Sequence, residues 1–201
     1  MKKTKVAVLL VSFLILFSSD IFGQLVSIGV GGGLTQVTGP EGTTKAVSEG
    51  GLGYSSEYNF GAIGKVDLPL VPITPRAFII YHKFNGDGTF NGEQIENSQS
   101  ILSLGVGASY NFIPVPAGVD PYIALDIMFN HFGEFSGEDY PLSKKSRSGL
   151  GIGAGAEVSL LPKINVDISA SYRMFNLFGK DSGEETLSAV NLDLFLMFSL
   201  L

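Results

Sequence analysis

The stretch that decides the fold is Val190–Leu201, which reads V-N-L-D-L-F-L-M-F-S-L-L. Its apolar residues form an unbroken series at every second position, and Asp193 is one of the polar residues that fall between them. This period of two predicts a β-strand with one apolar face. The carboxylate of Asp193 needs water or enclosed polar partners, whereas the other face needs apolar surroundings. A closed barrel with lipid outside and a polar lumen inside meets both requirements.

Seven upstream segments are separated by polar or proline-rich connections. We predict strands over Gln24–Val37, Tyr54–Asp67, Arg76–Phe84, Gln99–Ile113, Pro121–Asn130, Ser148–Leu161 and Ile164–Met174. We expect Val190–Leu201 to close the barrel by pairing with the first and the last of these segments. The segment Arg76–Phe84 contains A-F-I-I-Y and lacks a clean alternation, so the facing of that strand stays open. Pro69, Pro72 and Pro75 lie between it and the preceding segment, and we expect them to prevent regular pairing and to turn the chain there.

The connections between these segments alternate in length. Long polar loops are expected around Thr38–Gly50, Asn85–Ser98, His131–Arg147 and Phe175–Glu185, with short turns between the remaining pairs. A membrane barrel with an even number of antiparallel strands sorts its connections in this way, since short turns lie on one side and long loops on the other. In a soluble β-sandwich nothing requires the long and the short connections to lie at opposite ends.

The first residues are typical of a cleavable signal peptide. Lys2, Lys3 and Lys5 precede an apolar run over Val6–Phe17, and small residues lead to Gly23. A run of that length is too short to span a bilayer, which takes about 20 residues. We therefore expect export by the Sec route and cleavage after Gly23, with residues 1–23 as signal peptide and 24–201 as a single barrel domain.

Composition excludes several classes of function. Removing Lys2, Lys3, Lys5 and Asp20 with the signal leaves 10 basic and 18 acidic residues, a net charge of −8. Nucleic-acid binding requires a basic surface, so this balance argues against it. The sequence contains no cysteine, and hence neither a disulfide nor a lipid-modified amino terminus is expected.

These features resemble the eight-stranded outer-membrane β-barrel proteins of Gram-negative bacteria, the group of the OmpA transmembrane domain and OmpX. The resemblance covers Gln24–Leu201 and implies an all-β, eight-stranded antiparallel up-and-down transmembrane β-barrel in the bacterial outer membrane. It also implies contact with outer-membrane lipid and lipopolysaccharide, and recognition of Val190–Leu201 by the outer-membrane assembly machinery. In that family the last strand usually ends in an aromatic residue, whereas this chain ends in Leu201.

Residue parity along the strands predicts which charges face the lumen. The predicted polar network comprises Glu57, Lys65, Asp67, Asp126, Glu157, Asp167, Arg173 and Asp193. Enclosed charges need partners, because an unpaired one costs several kcal/mol. An eight-stranded barrel leaves room for little more than side chains, so the network is interpreted as a plug in preference to a gated pore.

Aromatic residues near the strand ends suggest girdles at the two membrane interfaces. The predicted girdle residues are Phe60, Phe84, Tyr110, Phe112, Phe129, Phe132, Tyr172 and Phe175. Lys144, Lys145 and Arg147 are candidates to pair with lipopolysaccharide phosphates, or are solvated loop charges.

The sequence does not indicate an enzyme, a cofactor site or a metal site. Lipid A deacylases of similar size carry His and Ser two positions apart, but Phe84 and Gly133 take those positions after His82 and His131. Both histidines are therefore expected at the membrane interface. The glycines of Gly151–Ala156 match a dinucleotide-binding pattern by letter only, because the strand alternation continues through them and no helix begins there.

The favoured function is an integral outer-membrane barrel with a structural or surface-interaction role, whose four extracellular loops form the interaction surface. The alternative is a narrow channel or a lateral transporter of small or hydrophobic solutes, as in OmpW-like barrels. A lipid A-modifying enzyme ranks below both.

Overall fold

The computed structural model describes residues 25–68, 71–112, 118–136 and 142–200. Eight antiparallel strands form a closed barrel in which each strand pairs with its neighbours in the chain and the last closes on the first. The strands are β1 (Leu25–Gly39), β2 (Ser56–Asp67), β3 (Ile73–Phe90), β4 (Glu93–Asn111), β5 (Val119–Phe132), β6 (Ser146–Leu161), β7 (Ile164–Phe178) and β8 (Ser188–Ser199). The predicted eight-stranded up-and-down barrel is confirmed. The predicted signal peptide and its cleavage after Gly23 lie outside the described residues.

The predicted closing strand occupies the seam of the barrel. β8 pairs with β1 from Ser27↔Ser199 onward and with β7 from Ile164↔Phe198 onward. Its two faces differ as the alternation requires, since 3 % of Asp193 and 51 % of Leu194 are exposed. The sequence therefore predicted correctly which strands β8 joins and which of its faces points outward.

The outer wall is apolar because the outward position of every strand carries mostly aliphatic and aromatic side chains. Val30 on β1, Leu125 on β5 and Leu192 on β8 are each more than half exposed on this wall. The one α-helix among the described residues is α1 (Glu41–Thr44), and it is far too short to cross a membrane.

The two ends of the barrel differ in their connections. At the end that carries the start of β1 and the end of β8, β6 and β7 are joined through residues 162–163 alone; we call this end the turn rim. The opposite end, the loop rim, carries the connections 40–55, 133–145 and 179–187 and the tip of the β3–β4 hairpin. The first of these connections contains α1 and a single 3₁₀ turn over Val47–Glu49.

The predicted polar loop over Asn85–Ser98 is wrong. β3 and β4 continue past the barrel wall in register to Phe90↔Glu93, and a two-residue turn joins them. Asn91 and Gly92 both have positive φ, 52° and 87°. Asn-Gly is the preferred pair for a turn with two such residues, whose twist matches that of the strands. The long connection is thus a protruding hairpin.

The expectation that Pro75 prevents pairing is also wrong. Pro75 pairs with Ala108 of β4, while the pairing of β3 with β2 extends only to Lys65↔Arg76. One side of β3 is therefore free of ladder hydrogen bonds at Pro75. A proline lacks the N–H donor and is tolerated in such an edge position.

Candidate functional site

The structure fixes the facing of β3, which the sequence left open. Arg76, Phe78, Ile80, His82 and Phe84 point into the lumen, and Ile79 lies 44 % exposed on the outer wall. β3 therefore contributes two basic side chains, Arg76 and His82, to the interior. The lumen, lined in this way by all eight strands, is the candidate functional site.

The group of charges nearest the turn rim is the lower ionic cluster, which consists of Lys65, Glu157 and Asp167 with Tyr122 and Asn165. Lys65 forms ion pairs with Glu157, at 2.7 Å, and with Asp167. The hydroxyl of Tyr122 donates a hydrogen bond to the carboxylate of Asp167 at 2.7 Å. Asn165 donates to Glu157 at 2.6 Å. The enclosed ammonium group is thus held by two carboxylates whose remaining oxygens also have partners.

A second ion pair crosses the lumen in front of β4 and joins β3 to β5. Arg76 on β3 donates through Nε to Asp126 on β5 at 2.8 Å, and a second nitrogen of its guanidinium reaches the other oxygen of that carboxylate. This two-point contact fixes both side chains, because the planar guanidinium matches a carboxylate. Tyr122 lies beneath the guanidinium, with its ring centre 5.9 Å from the central carbon.

An upper polar cluster lies between this pair and the loop rim. Arg173 donates to Asp193 at 3.1 Å, and Asn59 donates to the same carboxylate at 2.8 Å. Asn59 also donates to Thr35 at 3.0 Å, and Thr35 donates to Asn191 at 2.6 Å. The cluster therefore links strands β1, β2, β7 and β8 across the seam.

His82 belongs to this upper cluster, and its predicted place at the membrane interface is wrong. The side chain is fully buried in the lumen. Arg173 lies 3.3 Å from Nε2, and a guanidinium can only donate, so Nε2 accepts and the ring proton sits on Nδ1. Nδ1 lies 3.2 Å from the hydroxyl of Thr35 and donates to it. The neighbours thus fix the tautomer of a neutral imidazole.

At the turn rim the lumen opens into a polar chamber of about 100 Å³. Asp67 accepts a hydrogen bond from Thr74 at 2.8 Å in its wall, and Asp120 and Glu157 also line it. The chamber is shallow, because the lower ionic cluster forms its floor.

Seven of the eight residues of the predicted polar network form hydrogen bonds or ion pairs inside the lumen, and Glu57 departs from the pattern. Glu57 is half-buried near the loop rim, and its side chain forms no hydrogen bond or ion pair with the described residues. The prediction also missed essential partners, namely Arg76, His82, Asn59, Tyr122 and Thr35. Arg76 and His82 were missed because β3 has no clean alternation, and the uncharged partners because only charges were counted.

The loop-rim third of the lumen is filled by apolar side chains, contrary to the prediction of a polar interior throughout. This apolar plug consists of Val37, Tyr54, Phe84, Ile101, Phe132, Phe135, Leu142, Phe175, Leu187 and Ala189. Several of its members come from the connections and not from the strands, so the loops fold back over the lumen. The plug closes the barrel on the side where the long connections lie.

Three predicted girdle residues belong to this plug, and their assignment to the membrane interface is wrong. Phe84, Phe132 and Phe175 are each completely buried. Phe132 and Phe175 have the same parity as the inward residues Asn130 and Arg173, so the alternation itself predicts the lumen. Residue type alone is therefore a poor guide at a strand end.

The other five predicted girdle residues lie on the outer wall. Their exposed fractions range from 40 % for Tyr172 to 63 % for Phe129, and the set comprises Phe60, Tyr110, Phe112, Phe129 and Tyr172. Tyr110 and Phe112 pack edge to face near the turn rim, with ring centres 5.7 Å apart.

The basic residues at the loop rim have partners within the protein. Arg147 donates twice to Glu184, at 3.0 and 2.7 Å, and once to Asp181 at 2.8 Å. Lys144 pairs with Glu134, and Lys145 pairs with Asp181. Each of these cations thus has an acidic partner in the protein, and pairing with lipopolysaccharide phosphates stays a prediction.

The same contacts shift the acids of the loop. The hydrogen bond from Lys145, together with the charges of Lys145 and Arg147, holds the pKa of Asp181 below its ordinary value. Burial acts to raise the pKa of Glu184, but the hydrogen bonds from Arg147 and Asn176 outweigh it and lower the pKa. Both carboxylates therefore favour their charged forms in the folded loop.

His131 lies on the outer wall beside Ser146 of the neighbouring strand, with Nδ1 3.1 Å from the hydroxyl oxygen. No carboxylate among the described residues is hydrogen-bonded to this ring, so an acid that would orient it is lacking there. The described residues also contain no group of three or more His, Cys, Asp and Glu side chains arranged to hold a metal ion.

Between the ionic groups lies a small internal cavity of about 20 Å³. Its polar lining comprises Arg76, Tyr122, Asp167, Ser169, Ser171, Arg173 and Asp193, and Phe78 lies among its apolar neighbours. This volume accommodates about one water molecule. With the plug above it and the lower ionic cluster below it, the cavity does not form part of an open pore.

Comparisons with known proteins agree with this architecture. The family described as "outer membrane protein beta-barrel domain" matches residues 7–197. No curated protein matches the chain by sequence.

Solved structures share the fold at low sequence identity. Neisserial surface protein A superposes with a TM-score of 0.58 at 14% identity, covering 89% of this chain and 97% of that protein. A major outer membrane protein from Thermus thermophilus gives 0.52 at 13% identity, covering 87% and 99%. OprG from Pseudomonas aeruginosa gives 0.50 at 12% identity, covering 88% and 94%. At these identities the likeness establishes the fold alone.

Proposed function

The chain belongs to the outer-membrane protein β-barrel family and lies in the bacterial outer membrane, and on that premise we propose that it is a closed structural barrel with an extracellular interaction surface. The observation that carries this proposal is the filling of the lumen. Ion pairs and a second apolar cluster fill it between the turn rim and the plug, and the apolar plug fills it at the loop rim. The internal cavity among the ionic groups measures only about 20 Å³.

The extracellular surface is formed by connections that support one another. Asn97 of the protruding hairpin donates to the carbonyl of Leu52 at 3.1 Å, and Ser136 of the β5–β6 connection donates to Ser98 at 3.0 Å. Lys145 and Asp181 form an ion pair between the last two connections. This arrangement favours a preformed platform, which loses little conformational entropy when it binds a partner.

The platform is acidic at its protruding hairpin. Asp87, Glu93 and Glu96 are exposed there, and no lysine or arginine lies between Asn85 and Ser98. A cationic partner surface would suit this hairpin better than a polyanion, because like charges facing one another suppress association. We also expect the outer-membrane assembly machinery to recognise Val190–Leu201.

Planar-bilayer recording of the purified, refolded protein tests the closed lumen. Insertion is first established by protease protection in liposomes and by faster migration of the unboiled protein in a denaturing gel. Inserted protein is expected to give no steady current. A steady, ion-selective conductance from inserted protein would overturn the proposal in favour of a pore.

A lateral route for small hydrophobic solutes is the second candidate. A groove of about 440 Å³ on the apolar outer wall is lined in part by Ala124 and Gly153, which also line the internal cavity. These two residues are register partners in an unbroken ladder, so a solute would have to separate β5 from β6. Uptake of a small apolar dye into proteoliposomes tests this candidate. A variant with a cross-strand disulfide between β5 and β6 is the blocked control.

A further inference from the structure

The internal cavity lies between the lower ionic cluster and the upper polar cluster. Ser169, Ser171 and Arg173 are successive inward residues of β7 and form a polar arc along one side. Arg76, Tyr122 and Asp193 add polar groups from three other strands, and Ile63 and Phe195 are among its apolar neighbours. The lining is therefore mixed, and its polar groups are most numerous along β7.

Two buried polar atoms at this cavity are without partners among the described residues. They are the hydroxyl of Ser171 and the Nε of Arg173. Ser171 is 8 % exposed and Arg173 is 4 % exposed, so bulk solvent does not satisfy either group. The two terminal nitrogens of the same guanidinium already donate to His82 and Asp193. An unsatisfied buried donor destabilises a fold, and native proteins normally supply a partner.

We propose that the cavity is a binding site for a single ordered water molecule, which accepts a hydrogen bond from Nε of Arg173 and forms a second with the hydroxyl of Ser171. The volume of about 20 Å³ matches one water, which requires roughly 10 to 15 Å³ and two to four polar partners. The carboxylates of Asp167 and Asp193 in the lining supply acceptors for its hydrogens.

The charges that line the cavity balance one another. The guanidiniums of Arg76 and Arg173 lie with the carboxylates of Asp167 and Asp193, so the lining offers no net counter-charge to a cation or an anion. A neutral molecule with two donors and two acceptors fits both kinds of group. Larger neutral ligands are excluded by the volume.

This water would join two groups that the protein atoms leave separate. Below it, Asp167 is bonded to Lys65 and Tyr122, and above it Arg173 is bonded to Asp193 and His82. The water would extend one hydrogen-bonded network from the chamber at the turn rim to the base of the apolar plug. It would also supply the partner that Nε of Arg173 lacks, which holds the guanidinium in place beneath the plug.

A crystal structure of the refolded protein at about 2 Å or better tests the site. The expected result is one solvent peak within about 2.7 to 3.2 Å of both Nε of Arg173 and the hydroxyl oxygen of Ser171. Absence of a peak, or rotation of Ser171 onto another protein acceptor, would overturn the proposal. Electron density of a larger or charged species would overturn it as well.

Solution spectroscopy provides an independent measurement that does not depend on crystals. In micelles, Nε–H of Arg173 is expected to show cross-relaxation with a long-lived water, and Ser171→Ala is expected to weaken or abolish it. Ser103→Ala is the matched control, because Ser103 also has a buried hydroxyl without a partner among the described residues but does not line the cavity. An equal effect of both substitutions, or no cross-relaxation in the unaltered protein, would contradict the assignment.

Discussion

Between the turn rim and the apolar plug, Lys65, Arg76 and Arg173 are each held by a carboxylate, whereas the plug at the loop rim is built around Phe84, Phe132 and Phe175. Both regions lie inside the same eight strands. The charged region also contains apolar side chains, all from strands, namely Ile63, Phe78, Ile80, Met128, Phe195 and Met197. The connections contribute only to the plug at the loop rim. The comparison indicates that the ion pairs of the lumen occur where strands fix both partners, whereas apolar packing occurs there and beneath the connections.

The physical reason lies in the geometry that each interaction needs. A buried ion pair is stabilising only when its distances and angles are good, and a hydrogen-bonded barrel wall provides such positions. Apolar packing tolerates small displacements, since it depends on buried area. Tyr54, Phe135 and Leu142 lie in connections and contribute apolar surface to the plug.

The largest effect is expected from breaking an ion pair in the charged region. Asp126→Ala leaves the guanidinium of Arg76 buried without a counter-ion and should lower the free energy of unfolding by about 3 to 5 kcal/mol. Urea titration in liposomes measures this, with the folded fraction taken from unboiled gel migration because the chain has no tryptophan.

A double variant separates the loss of the pair from the loss of volume. Arg76→Leu together with Asp126→Ala removes both charges and should recover most of the stability lost in the single variant. If the double variant is as unstable as Asp126→Ala alone, the unpaired charge is not the cause.

A somewhat smaller loss is expected from opening the plug. Phe84 packs against Tyr54, with ring centres 5.7 Å apart, and against Phe175 at 6.1 Å. Phe84→Ala should destabilise the fold by about 3 kcal/mol and increase proteolysis of the connection 40–55, which loses its support. Phe129→Ala on the outer wall is the matched control, since that ring is 63 % exposed. Equal sensitivity to protease in both variants would show that Phe84 does not anchor the loop.

The close packing at the closing seam predicts a third, smaller effect. A Cβ on Gly33 would meet the backbone of β8, including Cα of Asp193 at 2.8 Å, so Gly33→Ala should cost about 1 to 3 kcal/mol. A Cβ on Gly151 would meet side-chain atoms of Arg173 and Asp126 at 3.6 Å, an ordinary contact distance, and Gly151→Ala should be close to neutral. Refolding midpoints in urea compare the two, and equal midpoints would contradict this account of the seam.

The smallest effect is expected at the loop rim, from pH. The pKa values of Asp181 and Glu184 are lower in the folded loop than in the unfolded chain. The charged carboxylates therefore stabilise the loop at a pH above their unfolded pKa values. This stabilisation is lost as the pH falls through their pKa values in the folded protein. Hydrogen exchange at Leu187, whose N–H donates to Asn176 at 2.7 Å, should accelerate as pH falls from about 5 to about 3 beyond the intrinsic trend. Arg147→Gln should remove most of this excess acceleration. An unchanged excess in that variant would rule out the loop ion pairs as its source.

The accuracy of the sequence interpretation followed the regularity of the strands. The alternation in Val190–Leu201 placed Asp193 inside and Leu194 outside, and the same rule placed Asp126, Asp167 and Arg173 in the lumen. It was least informative for β3, where consecutive apolar residues on both faces hide the period. Arg76 and His82 were missed for that reason, and Phe84 was assigned to the wrong surface.

By itself, the sequence determined the number of strands, their order, the seam and the face that contacts lipid, because these depend on a period of two and on connection lengths along the chain. Tertiary structure alone decided which charges pair, that the loop-rim third is apolar and that Asn85–Ser98 forms a protruding hairpin. Pairing across the lumen joins residues far apart in the chain, such as Lys65 and Asp167. Their distances depend on strand register and on the width of the closed barrel, and neither quantity is encoded in the local pattern.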